Sequence, residues 1–276
     1  MRFSACIEWL FHESGPDYAA RIRSAASAGL DAVEFWGWRR HDLDTLGAAA
    51  KDTGTSIAAI CAEPVGSLQL GNDADHDAFI EGIEASCVAA LRLGAAALIV
   101  QSGTRVPELA DERQHANVVA ALSRAGRIAA DDGLVLLLEP INDRVTRPGG
   151  LVCTTTAGLD LVDATGLPSV RLLYDCYHSA VMGQGFPDVI GERWPLVGHI
   201  HAADCPGRNE PGTGELDWAA ALSGPIGRQY RGLIGLEYKP TRVSAASVAM
   251  ALSAFGATSD SSRSQGIAPP RSRGWA

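Results

Sequence analysis

A (β/α)8 TIM barrel in a single domain is the architecture this sequence predicts, and three observations carry the expectation. Eight short apolar runs recur along the 276 residues, with a helix-sized insert after each. The runs lack clean polar–apolar alternation, as strands buried on both faces of a parallel sheet do. No linker or compositional break divides residues 1–255, and a barrel of this type takes roughly 250 residues. A doubly wound sheet is the alternative, but no G-x-G-x-x-G follows the first run.

Strand one is RFSACI, Arg2 to Ile7. The helix DYAARIRSAASAG follows from Asp17, turns Ala20, Ile22, Ala25 and Ala26 to one face, and stops at Gly29. Strands two and three are DAVEFW (Asp31 to Trp36) and SIAAIC (Ser56 to Cys61). A long amphipathic helix runs from His76 to Gly94 and leads to strand four, AALIVQ, Ala96 to Gln101. The segment from Asp111 to Gly133 repeats that design before strand five, LVLLLE, Leu134 to Glu139. The next helix, TTTAGLDLVDATG, has Thr at its start and Gly166 at its end, the usual start and stop signals. Strands six, seven and eight are VRLLYD (Val170 to Asp175), VGHIHAAD (Val197 to Asp204) and LIGLEY (Leu233 to Tyr238). Residues 256–276, which include TSDSSRSQGIAPPRSRGWA, are too poor in apolar groups to offset their ordering entropy and predict a disordered tail.

The bulk numbers narrow the function classes. A net charge of −9 without a basic stripe argues against nucleic acid or an anionic membrane as partner. No run approaches the roughly 18–20 apolar residues of a membrane span. The N-terminal MRFSACIEWLF contains Glu8 and no small-residue cleavage site, so no secretory leader is expected. The six cysteines form no C-x-x-C pair and read as reduced thiols. A cytoplasmic enzyme-sized chain is the expectation, with a homo-oligomer left open.

Four successive strands close on chemistry-bearing residues. Strand five ends on Glu139 in LLLEPIN, six on Asp175 in LLYDCYH, eight on Glu237 in LIGLEYKP, and seven carries His201 in GHIHAAD. The spacings are 36, 26 and 36 residues, each about one β/α unit. In a barrel all four reach the C-terminal rim, where active sites of this fold lie. Three carboxylates packed together repel unless a cation joins them. With one imidazole they form a hard set suited to one divalent ion, Mn2+ or Mg2+ first, with Co2+ or Zn2+ as alternatives. Arg208, in the loop after strand seven, is a candidate anchor for a substrate carboxylate or hydroxyl, or else orders its loop together with Glu210. Lys239 follows Glu237 by two and is a further substrate-binding candidate. Trp9, Phe11, Trp36 and Trp38 are candidates for an apolar pocket wall, with a core or oligomer-contact role as the equal alternative. His199 is read as pointing away from His201. For His12, His41, His76 and His115 only surface or helix roles are expected.

EPIN, YDCYH, GHIHAADCPGRNEPGTGE and EYKP, with SACIEWLF at the start, resemble the hydroxypyruvate isomerase family over roughly residues 1–255. That family belongs with the xylose-isomerase-like barrels, alongside the ketose 3-epimerases. The resemblance implies that Glu139 and Glu237 bind the metal and also transfer the proton, and that Asp175 and His201 complete the coordination. It implies that His178 contacts a substrate oxygen. The substrate it implies is a small hydroxy-keto acid or sugar, isomerised through an enediolate. Two positions depart from the pattern. Bacterial members often carry Gln where this chain has His201, and histidine there is similar to the epimerases. The family often has a histidine near strand three, where this chain reads AICAEPVG. Ketose 3-epimerisation, or a lyase or decarboxylase reaction on the same chemistry, therefore stays as an alternative, and a non-catalytic sugar-binding barrel as a more distant one.

Overall fold

The structure is a computed structural model in which residues 1–66 and 70–256 are described. Eight strands run in chain order and close on themselves: β1 Arg2–Cys6, β2 Ala32–Phe35, β3 Ser56–Cys61, β4 Ala97–Gln101, β5 Val135–Glu139, β6 Val170–Asp175, β7 Val197–Ala202 and β8 Leu233–Leu236. Every neighbouring pair is parallel, and β1 pairs with β8 from Arg2↔Leu233 to Ala5↔Leu236. The fold is the expected single-domain TIM barrel, and all eight strands lie where the apolar runs placed them. Strands seven and eight end earlier than expected, so Glu237 stands just past β8. The tail expectation falls almost wholly on residues outside the described ones.

The helices are α1 Tyr18–Ser27, α2 Leu43–Thr53, α3 Asp73–Leu93, α4 Asp111–Asp131, α5 Thr155–Thr165, α6 Cys176–Val181, α7 Trp218–Ser223, α8 Pro225–Gln229 and α9 Ser244–Ala254. Their ends follow local chemistry. Asp17, Asp42 and Thr154 cap α1, α2 and α5 by accepting backbone N–H bonds, and Asn72 forms a capping box with Asp75 that starts α3 three residues before His76. In α1 the buried face is Ala19, Ile22 and Ala25 rather than one built on Ala20 and Ala26. Helix α2, unassigned from the sequence, packs outside β3 between α1 and α3.

Strand residues divide by parity. Ile60, Leu98, Val100, Leu136, Leu138, Leu172 and Ile200 face the helices in the main apolar core. Ala59, Cys61, Ala97, Ile99, Leu137 and Leu173 form a smaller cluster in the lumen. These small and medium side chains leave a cavity of about 170 Å³ at the N-terminal mouth, reaching as far as His199. The polar residues lie at the other mouth. All six cysteines are free thiols. Among the described residues no helix is long and apolar enough to cross a membrane.

Candidate active site

Glu139, Asp175, His201 and Glu237 come together as the strand pattern predicts. All four are buried, and each offers a ligand atom within 4.8 Å of the others. Each carboxylate has one oxygen tied outward. Glu139 Oε2 accepts from Gln101 Nε2 at 2.9 Å, Asp175 Oδ1 from the His178 N–H at 2.8 Å, and Glu237 Oε1 from Trp36 Nε1 at 3.0 Å. His201 turns Nε2 to Glu34 Oε2 at 3.1 Å. The remaining atoms face one another. His201 Nδ1 lies 3.4 Å from Glu139 Oε1 and 3.3 Å from Glu237 Oε2. Glu139 Oε1 and His201 Nδ1 are buried without a hydrogen-bond partner. Orphaned polar atoms of this kind are costly in a protein interior. Two of them at the centre of a three-carboxylate, one-imidazole set fit the donor requirements of a divalent cation.

Arg208 is the cation these carboxylates find within the chain. Its Nη2 lies 2.5 Å from Glu237 Oε2 and 3.1 Å from Asp175 Oδ2, while its Nε is buried without a partner. The guanidinium lies over the rings of Trp9 (4.7 Å) and Tyr177 (5.1 Å). Its backbone sits at φ +57, a conformation that the surrounding loop imposes. Asp204 organises that loop by accepting the N–H groups of Cys205, Gly212 and Leu216. A Cβ at Gly214 would come within 2.4 Å of Asp204 Oδ1, which accounts for the glycine. Glu210 accepts from Thr241 N and Oγ1, tying the loop to the segment after β8. The PGRNEPGTGE run is thus largely the frame that presents Arg208.

The electrostatics follow from burial and pairing. Burial works against the charged form of His201, but Glu237 and Glu34 outweigh it and hold its pKa well above the ordinary histidine value. Burial also opposes ionisation of Glu237, yet His201 and Arg208 bring its pKa down to about 2. Burial lowers the pKa of His178 despite Asp175 beside it. Asn142 Oδ1 accepts from Val145 N and Thr146 N, so its Nδ2 is the atom turned to His178 Nδ1, at 2.6 Å. A neutral His178 accepting at Nδ1 carries its proton on Nε2, the nitrogen 3.7 Å from Asp175 Oδ2.

Other candidates fall differently. Lys239 is exposed at the rim, with Nζ 5.8 Å from the Trp9 ring, and it makes no ion pair among the described residues. Trp9 and Trp36 meet edge to face at 5.7 Å beside the site, whereas Phe11 is buried in the outer core and Trp38 donates to Ser86. The expected direction of His199 is wrong. Side chains two apart on a strand share a face, and His199 Nε2 meets the same Glu34 Oε2, at 3.0 Å. Glu34, Gln101 and Asn142 were given no role from the sequence. Glu34 inside DAVEFW and Gln101 at the end of AALIVQ were visible as polar groups in apolar strands, the signal that marked Glu139.

The xylose isomerase-like TIM barrel family matches residues 22–254. The chain belongs to this family. A human relative carrying the name of a hydroxypyruvate isomerase is 34% identical over 252 residues, covering 87% of this chain and 90% of its own length. The hydroxypyruvate isomerase of Escherichia coli is 29% identical, covering 87% and 94%. A solved structure of an AP endonuclease, family 2, from Brucella melitensis superposes with a TM-score of 0.82 over 90% of this chain and 97% of that one. At 24% identity that likeness shows the fold alone.

Proposed function

We propose that the chain is a divalent-metal-dependent isomerase of a small hydroxy-keto acid, of the hydroxypyruvate isomerase type. The observation that carries the reading is the division of every ligand-type residue into an atom tied outward and an atom facing the shared centre. The relatives named for hydroxypyruvate isomerisation support the substrate class. Glu139, Asp175, His201 and Glu237 hold one ion, Mn2+ or Mg2+ in preference to Co2+ or Zn2+. When bound, the ion supplies Lewis acidity that stabilises negative charge on a substrate oxygen and acidifies the neighbouring C–H.

The side chains do the rest. Arg208 offers its unpartnered Nε to the substrate carboxylate, and Lys239 adds positive charge at the rim. Glu139 and Glu237 approach the substrate from β5 and from the end of β8. One of them takes a proton from the hydroxymethyl carbon, and the C–H electron pair becomes the C=C of an enediolate. A proton returns to the adjacent carbon while another passes from one oxygen to the other, so ketone and alcohol exchange places. His178 donates its Nε2–H to the oxygen that gains charge. No electrons leave the substrate, so the reaction calls for no nicotinamide.

The test is incubation of purified protein and Mn2+ with hydroxypyruvate in D2O. Deuterium at the hydroxymethyl carbon, together with aldehyde product, is the expected result. Absence of both overturns the reading. Exchange at C3 of a ketose instead, with hydroxypyruvate inert, moves the assignment to a 3-epimerase, the reading that His201 favours.

A further inference from the structure

Glu34 is a carboxyl side chain deep in the lumen that touches none of the four centre atoms. It is 1% exposed, and its Oε2 lies between His201 Nε2 (3.1 Å) and His199 Nε2 (3.0 Å). Its Oε1 accepts from Ser4 Oγ at 3.0 Å. Strand β8 leaves room for the group only because residue 235 is glycine. A Cβ there would come 2.1 Å from Glu34 Oε1 and 2.9 Å from both His199 Nε2 and His201 Cδ2. Glu34, His199 and His201 bring their atoms close enough to be read as a second cation cluster. Each contact in it, however, is already a satisfied hydrogen bond, in contrast to the orphaned atoms of the main centre.

We propose that Glu34 is a positioning residue for His201: it takes the Nε2–H and thereby presents Nδ1, whose proton a bound cation would displace, as the electron-pair donor to the metal centre, with Ser4 and His199 fixing the carboxylate. The inference rests on the metal reading above and extends it to strand β2. An imidazole has two nitrogens, and the hydrogen bond made by one decides what the other does. A carboxylate on the far nitrogen fixes the tautomer and ring orientation and raises the basicity of the ligating nitrogen. It also restrains rotation of the ring, which Nδ1 needs in order to stay 3.3–3.4 Å from the Glu139 and Glu237 oxygens. The arrangement favours ions that bind imidazole well, so Glu34 contributes more to holding Co2+ and Mn2+ than Mg2+.

The experiment titrates the metal-free full chain with Mn2+, Co2+ and Mg2+ by calorimetry, for the parent, Glu34→Gln, His201→Gln and the double variant, with apoprotein melting recorded for each. Glu34→Gln should weaken Mn2+ and Co2+ binding by about 10–100-fold, and Mg2+ binding less. In the His201→Gln background the same change should cost almost nothing, because the group through which Glu34 acts is gone. Parent-like affinity in folded Glu34→Gln overturns the proposal, and so does an equal loss in both backgrounds. A parent chain that binds no ion overturns the metal reading and this one together, which separates the two failures. Should Glu34→Gln not fold, Ser4→Ala frees one carboxylate oxygen without changing charge. A few-fold loss of Mn2+ affinity is then expected, and no loss overturns the proposal.

Discussion

Strands β5 to β8 and the residue just past β8 bring Glu139, Asp175, His201 and Glu237 to one point, whereas among the described residues β1 to β4 add no His, Cys, Asp or Glu to that cluster. The first half, β1 to β4, nonetheless supplies Glu34, Gln101 and, just past β2, Trp36, each bonded to the outer atom of one of those residues. Gln101 is in turn set by Arg147 Nη2, which donates to its Oε1 at 3.1 Å and leaves Nε2 for Glu139. On the proposed reading, one half holds the reactive groups and the other holds their orientation. The two jobs differ in what substitution removes. Loss of a ligand-type residue removes a donor from the centre, while loss of a supporting one leaves the donor in place but free to rotate.

The largest effects should therefore lie on β5–β8. Asp175→Ala should lose most bound metal and nearly all activity, measured by metal analysis and turnover; a tightly held ion in that variant would break the comparison at its root. Glu139→Gln and Glu237→Gln keep an oxygen donor but no base, so kcat should fall by about 10²–10⁴ with metal partly retained. A nearly active Glu237→Gln protein would move the second proton-transfer group elsewhere.

Arg208→Met tests the loop that leans over both halves. KM for an acidic substrate should rise by about 10–100-fold, and far less for a neutral ketose. Equal responses would leave Arg208 as a countercharge only. The metal-free variant should also lose about 3–5 kcal/mol of stability, because buried Asp175 and Glu237 lose their partner. Thermal melts with and without Mn2+ check this, the ion being expected to restore much of the loss.

Smaller effects belong to β1–β4. Gln101→Leu and Trp36→Phe each remove one supporting hydrogen bond and should reduce kcat/KM roughly 10-fold. If either matched Glu139→Gln, the division between donor and support would fail. The smallest effect is expected from a chain ended before Thr258: Phe255 stays, stacked on Phe3 at 5.4 Å and against Trp218 at 5.2 Å. Melting temperature and activity should stay near parent values, and a large loss would assign the tail a docking role.

How much was legible beforehand differs between the halves for a physical reason. Glu139, Asp175 and Glu237 each close an apolar run, and a charge there is conspicuous in one dimension because burial without a partner is costly. A barrel sends successive strand ends to the same mouth, so periodicity alone was enough to group them with His201. Glu34 was equally conspicuous, but its partner lies 167 residues away across the lumen, and no local pattern states which strands face each other there. The direction of His199 was within reach of simple parity and was misread. That of Arg208 was not, since it follows from a left-handed backbone in a loop that Asp204 gathers through three N–H groups. Read in one dimension, the chain already specified the barrel, its strand boundaries to within a few residues, and four of the polar residues that meet at its rim. Those properties rest on hydrophobic periodicity and on the cost of burying charge. Only the closed structure decided which nitrogen of His201 faces the centre, which oxygen of each carboxylate is left over, and where the Arg208 guanidinium points. Those depend on contacts between strands far apart in the chain, which exist only once the sheet has closed.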